Sequence, residues 1–236
     1  MRKETIEETG KARLLVVDDH PLMREGLKYI IGLQPDMEHC GEAHNSHGAF
    51  EIMATQKPDL MLLDLLVNGD GIELIKASRA KFPRLRILVL SHLDEMIYAE
   101  RTLRAGAHGF VMKKQATSEV LNAIRAVLGG ELYVGSRLAA IALNKMLNQK
   151  PDREKNQKHA VDSLTDRELQ IFHLLGAELS VRKIAEELKL SIKTVETHRE
   201  NIKHKLGFQT AGDLTDHALK WIRRNGVATI SKKLLH

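Results

Sequence analysis

Five short apolar runs punctuate the first half of the chain: Leu14-Leu15-Val16-Val17, Met37 to Cys40, Leu60-Met61-Leu62-Leu63, Ile87-Leu88-Val89-Leu90 and Phe110-Val111-Met112. Each begins roughly two dozen residues after the last, is too short for a helix, and reads as a strand buried on both faces. Segments of helical period lie between them. Leu22, Leu27, Ile30 and Ile31 form one apolar stripe; Ile72, Ile75, Ser78 and Phe82 form a second; Val120, Ile124 and Val127 form a third. Strand then helix, five times over, predicts an α/β domain: a doubly wound, five-stranded parallel sheet with helices on both faces, over residues 12–130.

After Gly129-Gly130 the pattern changes. Residues 136–149 fit one helix carrying Leu138, Ile141, Ala142 and Met146, and Gln149 to Lys158 is polar and holds Pro151. Residues 131–159 are therefore expected to be a linker that includes a helix. From Leu164 onward the pattern is all helical, predicting a four-helix domain over 160–236. Thr165-Asp166-Arg167-Glu168 fits a capping box ahead of the stripe Leu169, Phe172, Leu175. A short helix over Ser180 to Leu188, a brief turn, and a helix capped by Ser191 and closed by Gly207 make a helix-turn-helix pattern. A last helix covers Thr210 to Arg224.

Composition narrows the class. The chain has 236 residues, 43% of them hydrophobic and 28% charged, as in a globular protein with a real core. No apolar run approaches the roughly 18 residues a bilayer span needs, so no membrane association is expected. The charged N-terminus, Met1 to Lys11, lacks the apolar core of a signal peptide. One cysteine, Cys40, rules out an intrachain disulfide and a Cys-based zinc cluster, and points to the reducing cytoplasm. The net charge of +5 is uneven: residues 1–128 carry −1, residues 129–159 carry +3 and residues 160–236 carry +3. The basic remainder hints at an anionic partner.

In an open parallel sheet, ligands bind beyond the carboxyl ends of the strands. There the first strand ends in Asp18-Asp19, the third in Asp64, the fourth in Ser91 and the fifth in Lys113-Lys114. Any one aspartate at a strand end serves equally well as a turn former or helix cap. Three carboxylates on one rim, however, repel by roughly 4 kcal/mol per pair at about 4 Å and an effective dielectric of 20, which calls for a cation. Oxygen-only ligands favour Mg²⁺. The set outlines a phosphoryl-transfer site, with an aspartate as nucleophile, Lys113 neutralising phosphoryl oxygens and Ser91 donating a hydrogen bond.

Val16-Val17-Asp18-Asp19-His20-Pro21, Leu62-Leu63-Asp64 and Phe110-Val111-Met112-Lys113 resemble the receiver domain of two-component response regulators, which has a flavodoxin-like fold. The resemblance implies that Asp64 is the phospho-acceptor and that Asp18 and Asp19, with Asp64 and the backbone carbonyl of Leu66, hold Mg²⁺. It implies that Ser91 is the switch hydroxyl, Lys113 the active-site lysine and Phe110 the aromatic switch. One stretch departs from the family. After Asp64 the chain reads Leu65-Leu66-Val67-Asn68-Gly69-Asp70-Gly71, with Val and Asn in place of Met and Pro and a loop one residue short.

In the second half, Ser191 to Leu206 is the candidate recognition helix. Val195, His198, Ile202 and Leu206 share one face and are expected to pack on Ile184 and Leu188, while Lys193, Glu196, Thr197, Glu200, Asn201 and His204 lie opposite. Such a helix fits a DNA major groove, with Lys193, Arg199, Lys203 and Lys205 suited to phosphates and Ser191 and Thr194 at the helix N-terminus. An amphipathic helix with a merely solvated face has the same pattern. Leu164 to Glu168, Ile184-Ala185-Glu186-Glu187-Leu188, Lys193 to Arg199 and Lys205-Leu206-Gly207 resemble the LuxR-type DNA-binding domain. Receiver, linker and LuxR-type domain in this order is the NarL/FixJ subfamily.

The resemblance implies a transcription regulator and not an enzyme. Asp64 would accept a phosphoryl group from a sensor histidine kinase, and Lys193, Thr194, Glu196, Thr197, Arg199, Glu200, Asn201 and Lys203 would contact promoter DNA. A homodimer on inverted half-sites would be the active form, with RNA polymerase as a further partner. Leu214, Ala218, Trp221 and Ile222 on the last helix are a dimer surface or, equally, core. Two other functions share these residues: a DNA-binding regulator whose receiver works without phosphorylation, and a Mg²⁺-dependent phosphohydrolase. The latter wants a second aspartate two residues after Asp64, where Leu66 stands.

Overall fold

A four-residue apolar run fills a strand, and β1 (Ala12–Val17) buries all of Leu14, Leu15, Val16 and Val17. In this computed structural model, residues 10–67, 71–93, 95–147, 161, 163–188 and 190–224 are described. On one side β1 pairs with β2 (Met37–Ala43); on the other follow β3 (Leu60–Leu63), β4 (Arg86–Ser91) and β5 (Gly109–Met112). The order is β2-β1-β3-β4-β5, and every pair is parallel. The crossovers are α1 (Pro21–Gly32), α2 (Ser46–Gln56), α3 (Gly71–Lys81) and α4 (Glu95–Ala105), and α5 (Thr117–Leu128) follows the last strand. The chain steps from β1 to β2, then reverses past β1 to β3. Right-handed crossovers then set α1 on one face of the sheet and α2, α3 and α4 on the opposite face, and α5 folds back to share the core of α1. The sheet is the flavodoxin-like, doubly wound one expected, with its switch point between β1 and β3.

The core explains the pattern and where it misleads. Leu27 and Ile31 of α1 and Val120, Ala123, Ile124 and Val127 of α5 pack on Leu14, Val16, Leu62, Leu88, Leu90 and Val111 of the sheet. Leu22, placed on the α1 stripe, is instead 86% exposed: Met23, one helical turn before Leu27, takes the core-facing position in the first turn. Ile72, Ile75 and Ser78 of α3 are buried, and Phe82 is half-buried. The second strand corrects another expectation. It is an edge strand, buried only at Met37 and Ala43, because among the described residues nothing pairs with its outer side.

The chain divides into two compact units, Met1–Glu95 with Ala99–Gly135 and Met96–Tyr98 with Ser136–His236. The second unit contains α6 (Ser136–Leu147), α7 (Asp166–Gly176), α8 (Val181–Glu187), α9 (Ile192–Leu206) and α10 (Ala211–Arg224). The polar stretch Gln149 to Lys158 and the chain after residue 224 lie outside the described residues. Thr165 caps α7 through the reciprocal box with Glu168, Ser180 caps α8 and Ser191 caps α9. Gly207, at φ 74°, ends α9 in the left-handed region that favours glycine. Gly176 has a different reason to be glycine: a Cβ there would sit 2.6 Å from the carbonyl oxygen of Ala218, where α7 meets α10. Leu214, Ala218 and Ile222 of α10 are core, packed on α7, and Trp221 is half-buried with its ring edge-on to Phe172.

Candidate functional site

The reversal between β1 and β3 opens a crevice at their carboxyl ends, and the next residues of four strands line it. Asp18 follows β1, Asp64 follows β3, Ser91 ends β4 and Lys113 follows β5. Backbone pairing fixes each one: the Asp64 N–H donates to the carbonyl of Val17 at 2.9 Å, the Asp18 N–H to that of Ala43 at 3.0 Å, and the Lys113 N–H to that of Ser91 at 2.9 Å. The side chains converge. Lys113 Nζ lies 2.6 Å from Asp18 Oδ2 and 2.9 Å from Asp64 Oδ2, with its own side chain 1% exposed. Asp18 and Asp64 are 2% and 1% exposed.

Asp18 also performs the turn role. Its Oδ1 accepts the N–H of His20 at 2.8 Å, while the α1 cap position itself, His20, makes no side-chain cap. The Arg24 guanidinium holds the Asp18 carbonyl at 2.9 Å. The Leu66 N–H faces Asp64 Oδ1 at 3.3 Å. Burial pushes the Asp64 carboxyl above the usual range; Lys113 pulls it down and Asp18 pushes it further up.

Asp18, Asp19, Asp64 and His20 present ligand atoms all within 4.8 Å of one another. His20 was not among the residues expected to belong to this cluster. Its Nδ1 lies 2.8 Å from Asp19 Oδ1 and 3.3 Å from Asp18 Oδ1. Only its position directly after the acidic pair could have signalled it. Three carboxylates against one ammonium leave a formal charge of −2 when all are ionised, the complement of one divalent cation. The carboxylate-dominated donor set fits Mg²⁺.

Ser91 is fully buried and its Oγ accepts the Leu93 N–H at 3.1 Å, so the hydroxyl oxygen is held by its own loop. Phe110 is also fully buried, paired with Val89 in the sheet. Asn68, Gly69 and Asp70 of the short loop lie outside the described residues. The loop closes where the Gly71 N–H donates to the Leu65 carbonyl at 3.3 Å, and a Cβ on Gly71 would stand 2.7 Å from that oxygen.

On α9, Val195 and Ile202 are buried, and His198 and Leu206 are half-buried on the same face. Lys193, Glu196, Thr197, Asn201 and His204 are exposed; Thr194, Arg199, Glu200 and Lys203 are half-buried. The Ser191 hydroxyl oxygen accepts the Thr194 N–H at 3.0 Å. Two of the expected phosphate contacts are engaged within the protein. Lys203 Nζ is 2.5 Å from Glu200 Oε2. Lys205 Nζ lies 2.7 Å from Glu168 Oε2, which also receives the Thr165 N–H at 2.8 Å. Lys205 forms a strut between the end of α9 and the start of α7, its side chain 39% exposed.

Residues 14–125 match the response regulator receiver domain, and residues 162–218 match the bacterial regulatory proteins of the luxR family. The chain belongs to the two-component response regulators of the NarL/FixJ type, which join these two domains. Among its relatives is the oxygen regulatory protein NreC of Staphylococcus aureus (strain MRSA252), 33% identical over 210 residues, 88% of this chain and 97% of that protein. A LuxR-family two-component response regulator from Aurantimonas sp. SI85-9A1 superposes with a TM-score of 0.55 at 29% identity, over 59% of this chain and all of that one. RcsB of Salmonella enterica serovar Typhimurium, solved bound to promoter rprA with the phosphomimetic BeF3-, shares the fold at 22% identity. Its TM-score is 0.57, covering 89% of this chain and 98% of that one.

Proposed function

We propose that this regulator accepts a phosphoryl group on Asp64 from a sensor histidine kinase in the cytoplasm and thereby controls its binding to promoter DNA. The observation that carries the reading is the placement of Lys113: one buried ammonium touching both Asp18 and Asp64 at the carboxyl ends of the strands. An Asp64 carboxylate oxygen attacks the phosphorus of a phosphohistidine. The P–O bond forms as the P–N bond breaks, and the imidazole leaves with a proton from solvent. Lys113, already at 2.9 Å, turns from the carboxylate to the phosphoryl oxygens, and the Ser91 hydroxyl donates to another. Asp18, Asp19, Asp64 and the backbone carbonyl of Leu66 would hold Mg²⁺, which when bound neutralises charge on the phosphoryl group. Acquired charge at Asp64 then shifts a pre-existing equilibrium in which Ser91 and Phe110 differ.

The output is DNA binding by α9 in the major groove, as a homodimer on inverted half-sites. Lys193, Thr197 and Asn201 are presented outward; Thr194, Glu196, Arg199, Glu200 and Lys203 complete the contact face, with the Lys203 ammonium released from Glu200 on binding. RNA polymerase is a further partner of the bound dimer. Leu66 supplies a backbone N–H and an apolar side chain where a phosphohydrolase needs an acid, which weighs against steady turnover. Incubation with acetyl phosphate tests the assignment: wild-type protein takes up at most one phosphoryl group, and Asp64→Asn takes up none. Undiminished labelling of that variant rejects Asp64 as acceptor.

A further inference from the structure

After α5 the chain does not leave the receiver unit. Tyr133 returns to the open edge of β5 and pairs there, parallel to Gly109. Its N–H donates to the His108 carbonyl at 3.0 Å, and its carbonyl accepts the Phe110 N–H at 2.8 Å. Two carboxylates anchor this one-residue rung from either side. The Tyr133 hydroxyl donates to Glu119 of α5, and the Gly135 N–H donates to Glu95 at the start of α4.

Two glycines make room for it. A Cβ on Gly109 would stand 2.8 Å from the Tyr133 carbonyl oxygen, and a Cβ on Gly135 would collide with the Glu95 carboxylate. Burial, with Glu119 beside it, pushes the Tyr133 hydroxyl up to about 12, so it remains a donor at neutral pH. Five residues thus tie together α4, β5 and α5, and the next residue, Ser136, begins α6.

We infer that residues 131–135 are a strap that reads the position of Phe110 through its backbone and passes the phosphorylation state of Asp64 to α6. The inference rests on the phosphorylation proposed above. The strap bonds to the very peptide that carries the expected aromatic switch, and its second anchor is the helix that follows Ser91. A shift of Ser91 and Phe110 therefore acts on both attachments, and no residue intervenes between the last anchor, Gly135, and Ser136 at the start of α6. A strap of this kind needs no contact between the two units of the chain; continuity alone carries the signal.

Amide hydrogen exchange on the full-length chain, with and without beryllofluoride and Mg²⁺ as the phosphoryl mimic, tests the strap. In wild-type protein the mimic changes exchange at Leu66 and Lys113, at Phe110 and Tyr133, and in the first turn of α6. In the double variant Tyr133→Phe with Glu95→Ala, the Phe110 and Tyr133 amides exchange about tenfold faster without the mimic. Leu66 and Lys113 still respond, which also shows that the receiver is folded, and the response of α6 is lost. Gly109→Ala, which pushes the strap off from the sheet side, gives the same loss. If α6 responds in both variants as in wild type, the strap does not carry the signal. If Leu66 and Lys113 are silent in the wild-type protein, the phosphorylation of Asp64 is wrong and the strap's role falls with it.

Discussion

Lys113 Nζ stands 2.9 Å from Asp64 Oδ2, with the two side chains 1% and 0% exposed. An ammonium in that position does two things. It makes the burial of Asp18 and Asp64 side by side tolerable, and it keeps a cation where a phosphoryl oxygen will arrive. Removing it separates the two effects. Lys113→Met leaves two carboxylates buried without their partner, a change that costs about 3 kcal/mol. Urea unfolding in EDTA is expected to show this loss, and Lys113→Met with Asp64→Asn is expected to recover most of it. Equal midpoints for wild type and Lys113→Met would show that the ammonium is not holding the pair.

Asp64 itself is a site of stored cost. Burial raises its carboxyl above the ordinary aspartate range, with Lys113 opposing and Asp18 adding. The folded protein therefore binds a proton more tightly than the unfolded chain. This group's contribution to stability is present below about pH 4 and is lost as pH rises through the raised folded value. Asp64→Asn is expected to be more stable than wild type at pH 7 without divalent cation, with the gap closing toward acid pH. Thermal unfolding across pH in EDTA checks the direction; a variant less stable than wild type at pH 7 contradicts it.

Glu168 behaves in the opposite sense. Burial alone would push its carboxyl up, but hydrogen bonds from Lys205 and from the Thr165 N–H and hydroxyl outweigh burial and hold it below the ordinary glutamate value of 4.5. Its stabilisation is present above that value and is lost as pH falls through the lowered folded one. Glu168→Gln removes the charge in both the α7 capping box and the Lys205 strut. A loss of about 1–2 kcal/mol is expected at pH 7, shrinking in acid. Calorimetry of the two proteins at pH 7 and pH 4 measures it.

On α9 the exposed face divides by role. Lys193→Ala is expected to weaken binding to all duplexes alike and to reduce the salt slope by roughly 0.9. Asn201→Ala is expected to keep the slope and relax base preference at one position. Fluorescence anisotropy over a salt series, on a footprinted promoter fragment and on shuffled DNA, distinguishes them. Identical behaviour of the two variants would remove this face from the groove.

The strand-end residues were legible because a strand has one address for chemistry: the position after its last apolar residue. Asp18, Asp64, Ser91 and Lys113 all follow this rule, and the five-stranded sheet came from the same runs. The second strand misled, since an apolar start says nothing about whether a neighbour pairs on the outer side. The α2 segment gave no stripe because only Ala49 and Met53 are buried there. His20, Lys205 and Tyr133 were illegible for another reason. Each matters through a partner chosen by the fold: the carboxylates for His20, Glu168 of α7 for Lys205, and the edge of β5 for Tyr133. Nothing in local spacing marks a strap one residue wide. The last helix shows the converse limit, for a stripe that packs on α7 and a stripe that meets a second copy have the same period.

Borohydride trapping addresses the central claim most directly. The protein is incubated with acetyl phosphate and Mg²⁺, reduced, digested and mapped by mass spectrometry. An acyl phosphate on Asp64 reduces to the alcohol at that side chain alone, so residue 64 is expected to be recovered as homoserine in a Mg²⁺-dependent fraction of the chains. Reduction at Asp18 or Asp19 with residue 64 intact, or none anywhere while labelling persists, contradicts the account.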